Sequence, residues 1–333
     1  MDRHGGCCQP TGGIGAEHPG LVRPLDTPGG GGARDGGPVV SPTISPTCSG
    51  TCTTARARRK PATRRRSAAA EPRGFLADYG LVAGAYEMLA ADYDWMFGDD
   101  ALLNGRAINH PAIARLLQRI SPASLILDAA CGTGVDAAVL ARRGFTVWAA
   151  DGSDAMVEGA AARFERDRLA IPVLRSAWAE LPEATGERFD VVLCIGNSLV
   201  HAAGQDAMVQ ALTGLRRMAR PGGHVVVDSR NWEKLHAEHE IVQVADRVVA
   251  RDGRRCVVLY AWEIPERLRD EHLAHMVFVF EDGDQIDAHE HQIAFHPFTI
   301  SELRERLDLA GLREVDTDFD ASRDRYCVVS VAT

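Results

Sequence analysis

The sequence has no Cys-x-x-Cys pair, although it contains eight cysteines. Cys7, Cys8, Cys48 and Cys52 fall near the start, and Cys131, Cys194, Cys256 and Cys327 are spread over the rest. Thiols scattered in this way argue against both a cysteine-built zinc site and a disulfide framework, and suit a reducing, cytoplasmic compartment. Also missing is any apolar run long enough to cross a bilayer, and no such run follows the basic cluster from Arg56 to Arg66, so a membrane span and a secretory signal are not expected. Aromatic residues are absent from the first 73 positions, where 13 glycines and 9 prolines accumulate. A segment of that composition cannot bury enough apolar surface to offset the entropy of ordering, and residues 1–73 are expected to be a disordered tail. The tail holds 11 basic and 5 acidic residues, which leaves 26 basic and 41 acidic residues for the remainder. So acidic a folded part is not expected to bind a phosphate backbone. The arginine cluster itself reads as a nucleic-acid or targeting arm, or as a solvated tail.

From about Phe75 a regular rhythm sets in, and residues 74–333 read as one folded domain. A helix opens at His110–Pro111 and runs to Ile120 with apolar residues at Ile113, Leu116, Leu117 and Ile120. Strands are expected at Leu125–Ala130, Phe145–Ala150, Ile171–Leu174, Phe189–Ile195 and His224–Asp228, separated by helices. One of these helices is capped by Ser153 or Asp154, and another covers Gln205–Ala219. Alternation of this kind predicts an α/β fold with a doubly wound, mostly parallel, Rossmann-like sheet. After Trp232 the rhythm changes to four strand-like runs, Ile241–Ala250, Arg255–Ile264, His272–Phe280 and Ala288–Phe295, with charged turns between them. They predict an antiparallel insert over residues 232–297, following the fifth strand. Thr299 with Glu302 fits a capping box, and runs near Leu312–Thr317 and Tyr326–Val331 complete a sheet of seven strands.

The most telling stretch is Leu125 to Asp151, LILDAACGTGVDAAVLARRGFTVWAAD. An apolar run ends in Asp128, a turn carries Gly132 and Gly134, and a second apolar run ends in Asp151. Glycines let the backbone approach a ligand, and an acid about twenty residues beyond such a turn accepts ribose hydroxyls. A dinucleotide turn wants a third glycine where Ala137 stands, and a Walker loop wants Lys-Ser/Thr, which is missing. Asp128 beside the turn suits a positively charged ligand.

The D-x-x-C-G-T-G turn resembles motif I of class I S-adenosylmethionine-dependent methyltransferases. Together with DGSDAM (151–156), CIGNSLVH (194–201), PGG (221–223) and VVVDSRN (225–231), it resembles the glycine N-methyltransferase and glycine/sarcosine N-methyltransferase family. The similarity runs from about Tyr86 to the end. The resemblance implies that S-adenosyl-L-methionine is the cofactor, with Ala130, Gly132 and Gly134 along its methionine part. Asp128 lies beside it, Asp151 holds its ribose, and Met156, Ala177 and Trp178 surround its adenine. Ile195 contacts it through the backbone, Arg106 pairs with its carboxylate, and Tyr93 closes the pocket. Asn197 and His201 face the reacting centre, and Arg230 binds a substrate carboxylate. Ala177 stands where the family has asparagine, and Met96 and Phe295–His296 replace pocket tyrosines, which separates this chain from glycine as acceptor more than from methyl transfer.

The implied reaction is N-methylation of a small amino-acid-like amine by an enzyme that is cytoplasmic and forms, as one option, a homo-oligomer. No metal is implied. Bland alternatives stand beside these roles: Arg230 paired with Asp228 or Glu233, Asn197 as a turn residue, and His201 and Trp178 as structural residues. The rival functions are a small-molecule methyltransferase with another amine or an oxygen acceptor, a nicotinamide oxidoreductase, a nucleic-acid methyltransferase and a cofactor-binding regulator. Gly196-Asn197-Ser198 lacks the proline and aromatic that base-methylating enzymes usually carry at this point.

Overall fold

The computed structural model describes residues 84–333, and the Gly/Pro/Arg-rich stretch expected to be disordered lies outside the described residues. Five strands come first: β1 (Leu125–Asp128), β2 (Thr146–Asp151), β3 (Val173–Arg175), β4 (Phe189–Cys194) and β5 (Ala219–Arg230). The insert supplies β6 (Val242–Val244), β7 (Val249–Arg251), β8 (Arg254–Glu263), β9 (His272–Asp282) and β10 (Gln285–Phe295). β11 (Leu312–Thr317) and β12 (Arg325–Ala332) end the chain.

The main sheet has seven strands in the order β11-β12-β5-β4-β1-β2-β3. β1 to β5 run parallel, while β12 enters antiparallel between β5 and β11. The order reverses between β1 and β4, the point where open α/β sheets place ligands beyond their strand ends. β4 is an almost fully buried apolar strand because helices cover both faces of the sheet. One core cluster contains Leu212, Leu215, Val227, Trp232 and Phe295, and the other contains Ile113, Leu140, Val147, Phe164 and Val226.

Local chemistry sets the element ends. The Ser153 hydroxyl accepts from the Met156 N–H at 3.2 Å and starts the helix Asp154–Arg166. Thr299 and Glu302 form the reciprocal capping box of Ile300–Leu309.

Three details differ from the sequence reading. The run 241–250 splits into β6 and β7 around a bend where Arg247 pairs with the adjacent Asp246. β5 begins at Ala219, taking the Pro221–Gly223 turn into the strand with a register shift against β4. A helix, Trp232–Glu238, precedes the insert's first strand because Asn231 caps it and Trp232 is buried beneath it. The insert forms its own sheet, β10-β9-β8-β6, with β7 paired to β8.

Candidate active site

A cleft opens beyond the carboxyl ends of β1, β2 and β4, lined by Tyr86, Tyr93, Ala130, Gly132, Asp151, Met156, Trp178 and His201 among others. Gly132 has φ +53°, and a Cβ there would lie 3.2 Å from Cε1 of Tyr93, so only glycine leaves the aromatic ring its place across the turn. With Tyr93 across Gly132 and Tyr86 against His201, the cleft encloses about 60 Å³.

Asp151 ends β2 with its carboxylate pinned by two backbone donors, Gly132 N–H at 2.8 Å and Ser153 N–H at 3.0 Å, one on each oxygen. Burial raises the Asp151 carboxyl, and the N–H groups of Ser153 and Gly132 oppose it. The turn is also held from its other side. The Thr133 hydroxyl donates to Asp94 at 2.6 Å, Arg163 donates to the Thr133 carbonyl at 2.7 Å, and Arg163 pairs with Asp94. Trp178 is fixed by its indole N–H on the Ala129 carbonyl at 2.8 Å.

Gly134 does different work from Gly132. It has φ +78°, and a Cβ there would come within 2.7 Å of the Phe164 ring, so its smallness serves helix packing behind the turn. Ala177 and Ile195 are buried and, with Asp128, Gly134 and Arg106, lie outside the residues that line the cleft. The Ile195 carbonyl accepts from the Ser198 hydroxyl at 2.9 Å.

Beneath the cleft, Arg106 is clasped by Asp136, which accepts its backbone N–H at 2.7 Å and its Nε at 3.3 Å. Nη1 donates to the Tyr93 hydroxyl at 3.0 Å, and the guanidinium lies 4.6 Å from the Phe97 ring centroid. Burial opposes the charge, yet Tyr93 and Asp136 hold the Arg106 pKa above its ordinary value. Asp128 is fully buried, and its Oδ1 has no hydrogen-bond partner among the described residues. Burial, reinforced by Asp136, pushes its carboxyl up to about 8.

Because folding raises this pKa, the stability linked to Asp128 is complete below the ordinary aspartate range near 4 and is lost as pH rises through 8. Asp128→Asn should therefore raise the melting temperature relative to wild type by a few degrees at pH 9 and by much less at pH 5. Equal shifts at both pH values would show that folded Asp128 does not change its protonation relative to the unfolded chain in this range, against a pKa of about 8.

The loop after β4 closes the far wall. Asn197 takes a left-handed conformation, φ +66°, and its side-chain oxygen accepts the Arg230 backbone N–H at 2.9 Å. Its own N–H donates to Asp228 at 2.8 Å. Asn197 is thus a latch between β4 and β5, with its carbonyl turned to backbone and away from the cleft that Gly196, Ser198 and His201 line. Asp228 also accepts from Arg325 at 2.6 Å and lies 3.5 Å from His110. Burial alone would raise its pKa, but Arg325, His110 and the Asn197 N–H hold it below the usual carboxylate range. In turn, Asp228 and Asp318 lift His110 to about 9 against its own burial.

His201 places Nδ1 3.1 Å from the Ala294 carbonyl of β10 and Nε2 2.9 Å from the Tyr86 hydroxyl. Since a carbonyl only accepts, Nδ1 carries the proton and the Tyr86 hydroxyl donates to Nε2. Burial depresses His201 to about 4, so the ring is neutral. This Tyr86–His201 pair escaped the sequence reading, which gave Tyr86 no role.

Arg230 lies outside the cleft lining and borders a second cavity with Arg325 and Asp324. It pairs with neither carboxylate suggested by the bland reading: Asp228 is bound by Arg325, and Glu233 accepts the Ile300 N–H at 3.1 Å. Its guanidinium rests 5.2 Å from the Trp262 ring centroid. The four described cysteines are free and buried, and no described helix is long and apolar enough to cross a membrane.

Residues 126–223 match a family described as a methyltransferase domain. Glycine N-methyltransferase of Oryctolagus cuniculus is 37% identical over 125 residues, which cover 33% of this chain and 42% of that enzyme. The chain thus spans under half the length of that relative. Glycine/sarcosine N-methyltransferase of Halorhodospira halochloris is 29% identical over 205 residues, 60% of this chain and 70% of the relative. The CcbJ methyltransferase of Streptomyces caelestis superposes with a TM-score of 0.58 at 20% identity, covering 75% of this chain and 98% of that one, a likeness of fold. Residues 126–223 thus carry the match to a methyltransferase domain, and the chain is similar to the glycine N-methyltransferases.

Proposed function

We propose that the protein transfers a methyl group from S-adenosylmethionine to the nitrogen of a small amino-acid-like amine bound through its carboxylate. The observation that carries the cofactor half is Asp151, its carboxylate oriented by the Gly132 and Ser153 N–H groups at the mouth of a glycine turn. Asp136 is already paired with Arg106, and Asp151 adds a further carboxylate beside the turn, a balance that favours a cationic ligand. Trp178 and Met156 supply apolar surface for an adenine on the same wall. When bound, S-adenosylmethionine supplies an electrophilic methyl on sulfur.

The protein's part is alignment and exclusion of water. Arg230 anchors the acceptor carboxylate with its fork-shaped donors. The neutral His201 takes the Tyr86 proton in a hydrogen bond and leaves the Tyr86 oxygen free to accept from the acceptor amine. The amine lone pair forms the new N–C bond as the C–S bond breaks, and the proton of the resulting ammonium leaves to water. Asn197 holds the two strand ends that carry these groups in register. The family likeness to glycine and glycine/sarcosine N-methyltransferases supports nitrogen as the acceptor atom.

The test incubates the protein with S-adenosylmethionine and amino acids or their amide analogues while S-adenosylhomocysteine release is followed. Release with the amino acids and little with the amides is expected. Turnover that ignores the carboxylate, or methyl transfer only to hydroxyl groups, would overturn the proposal.

A further inference from the structure

Arg230 and Arg325 are cross-strand partners in the β5–β12 pairing, so two guanidinium groups stand side by side at one rim of the sheet. Like charges facing across strands repel, and an arrangement of this kind is relieved by an anion between them. Arg325 is half engaged, on Asp228 at 2.6 Å, while Arg230 has no carboxylate partner among the described residues. Burial and the neighbouring Arg325 bring Arg230 down to about 10, as expected for a cation short of counter-charge.

Both arginines border a cavity of about 730 Å³, walled also by Lys234, Gln243, Val244 and Asp324. Besides the two arginines the wall carries Lys234 against Glu238, Glu240 and Asp324, with Lys234 bound to Glu238 at 2.8 Å and to Asp324 at 2.7 Å, so the acidic groups face the side-chain end of the cavity. Asn197, between cleft residues Gly196 and Ser198, accepts the Arg230 backbone N–H, so the strand end that carries Arg230 is tied to the cleft loop. Pockets of this size hold drug-sized molecules, far more than glycine.

We propose that this cavity is the acceptor's side-chain site: the carboxylate sits between Arg230 and Arg325, and a long polar side chain fills the space toward Gln243 and Val244. The acceptor is then an α-amino acid larger than glycine. As an assignment of acceptor class it rests on the N-methyltransferase reading, but the cavity's occupancy is tested by binding alone.

Calorimetric titration of the S-adenosylhomocysteine-saturated full chain with glycine, L-serine, L-glutamine and L-arginine provides the test. Glutamine or arginine is expected to bind at least ten times more tightly than glycine. Arg325→Gln should remove most of that advantage. Val244→Trp, at a position 60% exposed and so tolerant of the change, should do the same by filling the cavity while S-adenosylhomocysteine affinity stays within twofold. Glycine binding as tightly as the longer amino acids, no binding by any of the four, or an advantage that survives both substitutions would overturn the assignment. Tight binding of glutamine or arginine without methyl transfer would instead remove the N-methylation reading and leave the cavity assignment standing.

Discussion

Asp151→Ala is expected to weaken S-adenosylhomocysteine binding at least 100-fold. Two hydrogen bonds from ribose hydroxyls to a carboxylate contribute about 1.5–3 kcal/mol each, and every 1.4 kcal/mol is tenfold in affinity. The carboxylate also ties Gly132 to Ser153, so its removal frees the turn as well as the sugar. Asp151→Asn should be nearly as harmful. Its amide must present an NH2 group to either the Gly132 or the Ser153 N–H, setting donor against donor in a buried site. Calorimetric titration with S-adenosylhomocysteine, with thermal melting as a control for folding, reads both effects. A well-folded Asp151→Ala protein that binds within threefold of wild type would remove the ribose role from this residue.

The placement of Asp151 beside Gly132 was legible in the sequence because every part of it is local. β1, the turn, one helix and β2 are consecutive, and a strand of known rise puts Asp151 beside Gly132 with no long-range information. The doubly wound order and the antiparallel insert were legible for the same reason: their signals are periodicity and turn chemistry. The helix after Asn231 was less visible, since seven residues with one large buried side chain read equally well as the start of a strand. Ends shifted by a few residues where a charged neighbour decided the matter, as at Asp246–Arg247 between β6 and β7.

The rest of the site depends on pairings between distant segments. Tyr86 and His201 are 115 positions apart and meet only because β10 presents the Ala294 carbonyl to the imidazole. Asp228 owes its ionisation to Arg325 and His110, from the last strand and from the head of a helix before β1. At two positions that the motifs single out, the structure shows a packing role that the sequence did not reveal. Gly134 is small to admit Phe164, and Asn197 is polar and left-handed to clasp Arg230 and Asp228. A sequence motif records that a residue type is required at a position; the packing around it decides why.

Arg230→Leu should cut kcat/KM for carboxylate-bearing amines about 1000-fold, while S-adenosylhomocysteine affinity changes less than threefold. The loss corresponds to about 4 kcal/mol, reasonable for a bidentate, charge-assisted pair formed in a site that excludes water. Leucine keeps apolar contact with Trp262, so the effect isolates the guanidinium from its packing. Arg230→Lys should fall between, because a point charge replaces the fork but not its geometry. Comparing each amino acid with its methyl ester supplies the decisive control: wild type should prefer the acid strongly, and Arg230→Leu should treat acid and ester alike. The desolvated Arg230 also costs the fold stability without a bound anion, so Arg230→Leu should melt no lower than wild type. If cofactor affinity and melting temperature collapse with activity, Arg230 is a structural strut of the β5–β12 rim and the acceptor is held by other groups.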